Sequence, residues 1–88
     1  MKITKELTAS KISEYLHREI TQADLVSWAE DALMEGEFEE SQVYDLREVV
    51  SKLGLADVKV FGLTWEDCEK LLSLLGYKAR IDVVEVTG

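Results

Sequence analysis

The sequence predicts a mainly α fold: a small four-helix domain with a C-terminal β-strand and a short candidate partner strand at 57–61. Three observations carry this. Apolar residues recur at helical spacing in four separate stretches. Two of those stretches open on a Thr-x-x-Asp signal that caps a helix N-terminus. After residue 76 the period changes from 3.6 to 2.

The first helix is expected over 4–17, where Leu7, Ile12, Tyr15 and Leu16 form a stripe and Lys5, Glu6, Lys11 and Glu14 fall off it. Ile20 packs as the chain turns. Thr21, with Asp24 three residues on, starts a second helix over 22–35, whose apolar face holds Leu25, Trp28, Ala29, Ala32 and Leu33. Gly36 then suits the left-handed position that ends such a helix. A third helix over 40–53 has Val43, Leu46, Val49, Val50 and Leu53 on one face, with Gly54 as its stop and Leu55 as the apolar contact beyond it. In "LTWED", Thr64 is the N-cap and Asp67 sits at N3, with Leu63 and Cys68 placed as a hydrophobic staple. Cys68, Leu71, Leu72 and Leu75 continue down the fourth helix to Gly76. "YKARIDVVEV" and "DVKVF" alternate as strands do, the first giving the strand expected over 79–86.

The chain has 88 residues, the size of a single small domain with one modest core. It contains no Pro, and its Gly residues are spaced as punctuation, so neither a linker nor an internal repeat divides it. No apolar run is long enough to span a bilayer, and the first residues lack the apolar stretch of a secretory signal. The lone Cys forms no internal disulfide, which suits a reducing cytoplasm.

Eighteen acidic residues against ten basic ones give a net charge of −8. Basic residues are scattered singly, which argues against nucleic acid and against an anionic membrane surface as partners. The acids are not scattered. Glu30, Asp31, Glu35, Glu37, Glu39, Glu40, Asp45 and Glu48 lie in one window whose only base is Arg47, so residues 30–48 carry −7 of the −8.

An EF-hand reading of this window fails on its ligands. With Gly36 at loop position 6, position 3 is Leu33 and position 12 is Gln42, where calcium requires an oxygen ligand and a bidentate Glu. Two readings of the window remain: a solvated face that keeps a small protein soluble, and a docking surface that attracts a basic protein. Glu30, Asp31 and Glu35 crowd a helix C-terminus, where the macrodipole disfavours them, and that speaks for the second.

Little here supports catalysis. Cys68 shares an apolar face with three leucines and has Glu66, Asp67 and Glu69 beside it, which oppose a thiolate. His17, the only histidine, ends the first helix. The two cannot make a structural zinc site, and no phosphate-binding, metalloprotease or hydrolase motif is present. The expectation is a protein that is not an enzyme and has no cofactor. Trp28 belongs to the core; Trp65, at the first turn of the fourth helix, is either boundary packing or, with Tyr77, Tyr44 and Phe38 as further candidates, an interface anchor.

The segments "LGLADVKVFGLTWEDCEKLLSLLGYK" and "EITQADLVSWAEDALMEGEF" resemble an uncharacterised family of short acidic bacterial proteins. The resemblance covers about half the chain and implies a bacterial cytoplasmic protein, with no catalytic residue or ligand carried over. In size and charge the chain is also similar to small acidic immunity proteins that neutralise basic toxins. The functional expectation is an acidic protein-interaction module, antitoxin- or immunity-like or a regulatory adaptor, using the 30–48 corner and Trp65. The alternative is a structural homodimer joined through residues 79–86.

Overall fold

The computed structural model describes residues 1–58 and 63–79 of the chain. In order these form β1 (Lys2–Ile3), α1 (Lys5–Leu16), α2 (Gln22–Glu35), β2 (Glu37–Phe38), a 3₁₀ turn (Glu40–Gln42), α3 (Val43–Gly54), a second 3₁₀ turn (Ala56–Val58) and α4 (Trp65–Leu74). The four expected helices are present.

Both capping boxes form. The Thr21 and Thr64 hydroxyls accept from the amides of Asp24 and Asp67, while those two carboxylates accept from the threonine amides, all at 3.0–3.1 Å. Thr4 caps α1 by accepting from the Leu7 amide. The helices bury one continuous core that includes Ile12 from α1, Leu25 and Ala29 from α2, Leu46, Val50 and Leu53 from α3, and Cys68 and Leu71 from α4. Leu63 and Cys68, the expected staple, are both buried there. Thr8 is the one buried polar side chain among the described residues, and its hydroxyl donates to the Thr4 carbonyl at 2.9 Å. That back-bond removes the penalty of burying it.

The pairing of β1 with β2 has no counterpart in the sequence reading. The two run parallel, with Lys2 opposite Glu37 and Ile3 opposite Phe38. The Glu37 amide donates to the Met1 carbonyl and the Glu39 amide to the Ile3 carbonyl. Ile3 is fully buried, so this short ladder also seals one end of the core.

That pairing changes the role of Gly36. Its φ of −80° is ordinary extended backbone, not the left-handed conformation expected. It is glycine because the chain passes close to its neighbours: a Cβ there would lie 2.5 Å from the Ala32 carbonyl oxygen and 2.6 Å from Ile3 Cγ1. Gly54 is likewise no left-handed stop. It is the last residue of α3 and faces Ala29 and Leu33 of α2. Leu55 beyond it is 58% exposed rather than packed, and Leu33 is 42% exposed.

Among the described residues the left-handed position is filled twice, by different residues. At the end of α4, Gly76 has φ +90°, its amide donates to Ser73, and the Tyr77 amide donates to Leu72. At the end of α1, Arg18 has φ +60°, its amide donates to Tyr15, and the Glu19 amide donates to Glu14. Both are Schellman motifs. Holding a residue with a Cβ in that conformation costs roughly 1–2 kcal/mol.

The candidate strand at 57–61 begins instead in the Ala56–Val58 3₁₀ turn, and 59–61 lie outside the described residues. Of the strand expected at 79–86, only Ala79 is described; it packs partly buried on the core, and 80–86 lie outside.

Candidate functional site

The acidic window folds as the end of α2, β2, the 3₁₀ turn and the first half of α3. Glu30, Asp31, Glu35, Glu37, Glu40, Asp45 and Glu48 are all exposed. Glu48 makes a surface ion pair with Lys52 at 3.7 Å, an i, i+4 contact of small energetic worth.

Glu39 differs from the rest. It is half-buried, and its Oε2 accepts from the Lys5 amide at 3.4 Å. The carboxylate thus sits against the first turn of α1, where the helix macrodipole favours a negative charge. Arg47, the single base of the window, is also engaged: its guanidinium lies 5.2 Å from the Phe38 ring centroid, a cation–π distance. The corner therefore uses one acid and its only base internally and leaves seven acids facing outward.

Three large apolar side chains stand among those acids. Tyr44 is 87% exposed and Met34 81%, with Leu33 less so. Tyr44, one of the aromatic residues expected as an anchor candidate, lies off the buried α3 stripe.

Trp65 is not part of this group. It is half-buried and lines a separate cleft of about 430 Å³ with Tyr15, Leu16, Ile20, Leu63 and Arg18. One wall of the cleft is tied down from two sides. Tyr15 donates its phenol hydrogen to the Leu63 carbonyl, and the Leu63 amide donates to Gln22 Oε1, each at 3.2 Å. Burial pushes the Tyr15 phenol above its ordinary value, and repulsion from Cys68 adds to this.

Cys68 is fully buried in the core. His17 is exposed at the C-cap of α1, its Nδ1 2.8 Å from the Ser13 carbonyl, a local contact that suits a helix end. Among the described residues no three or more His, Cys, Asp or Glu side chains converge as a metal ion requires, and no helix is long and apolar enough to cross a membrane. No protein-family model, curated protein or solved structure matches the chain.

Proposed function

We propose that the protein is a non-enzymatic interaction module that presents the 30–48 corner to a basic protein partner, as an inhibitor of the antitoxin or immunity type or as a regulatory adaptor. The observation that carries this reading is the composition of the corner: seven outward-facing acids around exposed Tyr44 and Met34. A face kept only for solubility gains nothing from a tyrosine and a methionine held in water. A docking face uses such side chains as anchors, while the surrounding charge steers a cationic partner and sets register.

The test compares the native chain with a variant carrying Glu30→Gln, Asp31→Asn, Glu35→Gln, Glu37→Gln and Glu40→Gln, leaving Glu39 in place because it serves α1. Each is used to recover binding proteins from cell extract at low and high salt. The expected outcome is a basic protein retained by the native chain, released by salt and lost with the variant. Equal recovery by both chains overturns the reading.

A further inference from the structure

We propose that the Tyr15–Trp65 cleft is a second binding site, selective for a small carboxylate bearing an aromatic or branched apolar group. Its volume of about 430 Å³ is at the small end of the range for organic ligands. Two aromatic rings, Tyr15 and Trp65, and the aliphatic side chains of Leu16, Ile20 and Leu63 supply the apolar surface. Among the described residues Arg18 supplies the one charge.

That charge sets the cleft apart. Among the described residues Arg18 is the only ionisable group in the lining besides the neutral Tyr15 phenol, in a protein whose net charge is −8. Three other concavities of the surface each mix acids with bases. An arginine beside an apolar floor, with no carboxylate among the described lining residues, complements an organic anion, because the planar guanidinium fork donates to both oxygens of a carboxylate.

The backbone at Arg18 points the same way. The Schellman motif that ends α4 uses Gly76, the residue that takes a left-handed φ without strain, whereas the equivalent motif ending α1 holds Arg18 there. Fold alone is served better by glycine. The arginine is explained by what its side chain does at the cleft. The wall at Tyr15 and Leu63 is already fixed by the Tyr15–Leu63 and Leu63–Gln22 hydrogen bonds, so binding orders little that is not ordered beforehand.

The experiment titrates the isotope-labelled protein with 3-phenylpropionate and, separately, with its uncharged amide, following the Trp65 indole and Arg18 signals by NMR. The native chain is expected to show saturable shifts at both residues with the acid and at least about tenfold weaker binding of the amide, the factor that one charge-assisted contact supplies. Arg18→Gly is expected to raise the thermal midpoint, because strain is relieved, while weakening the acid by about the same factor. Absence of saturable shifts at Trp65 into the millimolar range overturns the site. So does equal affinity for acid and amide, or unchanged binding in Arg18→Gly. The corner at 30–48 plays no part in this titration, so the two proposals stand or fall separately.

Discussion

The Tyr15 hydroxyl reaches across from α1 to donate to the Leu63 carbonyl, 48 positions along the chain, at 3.2 Å. Leu63 directly precedes the Thr64 cap of α4, so this contact holds the start of one helix against the end of another. Tyr15→Phe keeps the ring packing and deletes the donor. It is expected to cost about 1 kcal/mol, read as a lower urea midpoint at unchanged slope.

The same phenol gives a pH dependence. Its pKa is raised in the folded state, so its contribution is fully present below the ordinary value of 10.0 and is lost as pH rises through the folded value. Stability of the native chain should therefore fall more steeply above pH 10 than that of Tyr15→Phe. Urea unfolding at a series of alkaline pH values checks this, and parallel curves would show that Tyr15 is not the group responsible.

At the acid end the sign reverses. The amide of Thr21, and then its side chain, hold the Asp24 carboxyl below its ordinary range. Its contribution is present above the unfolded value and disappears as pH falls through the lower, folded one. Asp24→Asn should remove part of the acid sensitivity of unfolding. Thr21→Ala, which deletes the cap oxygen, should cost about 1 kcal/mol at neutral pH.

Gly36 and Gly54 should respond oppositely to alanine. Gly36→Ala drives a methyl into the Ala32 carbonyl and Ile3, and a loss of about 1–3 kcal/mol is expected. Gly54→Ala puts its methyl 3.6 Å from Leu33 Cδ1, an ordinary contact, on a helical residue. A gain of about 0.5–1 kcal/mol is expected there, from reduced freedom of the unfolded chain. Thermal denaturation of both variants measures the pair.

Within the acidic corner, Glu39→Gln should destabilise by about 0.3–1 kcal/mol through the first turn of α1. Glu37→Gln and Glu40→Gln, on exposed side chains, should stay within about 0.5 kcal/mol of the native chain. Guanidinium unfolding of the three single variants distinguishes them. Equal effects would mean that the Lys5 contact contributes nothing particular.

These cases also show where sequence was sufficient. The capping boxes at Thr21 and Thr64 were legible because every participating atom lies within four residues. The apolar stripes of α3 and α4 were legible because period and burial are the same fact in a helix. The β1–β2 ladder was not, since two-residue strands carry no period and their pairing joins positions 35 residues apart. Gly36 was misread for a related reason. A glycine after a helix serves either a left-handed turn or a close approach, and only the unforeseen neighbour Ile3 decides between them.

Of the candidate site, the charge was legible and its division of labour was not. No local signal distinguishes Glu39, which serves α1, from Glu37 and Glu40, which serve nothing internal. Trp65 was grouped with the corner by residue type alone. Its cleft includes Arg18, whose left-handed backbone has no signature in an arginine.

The parallel ladder also has a consequence for the order in which the chain can fold as it is made. Residues 1–3 are synthesised well before their partners, so the Met1 and Ile3 carbonyls have no amides to meet until Glu37 and Glu39 have left the ribosome. The Lys5 amide, in the first turn of α1, likewise gains the Glu39 carboxylate only then. Helices α1 and α2 can therefore form while the chain grows, but Ile3 stays in water until the polypeptide has turned back past residue 39. That end of the core closes only once residues 37–39 meet residues 1–3.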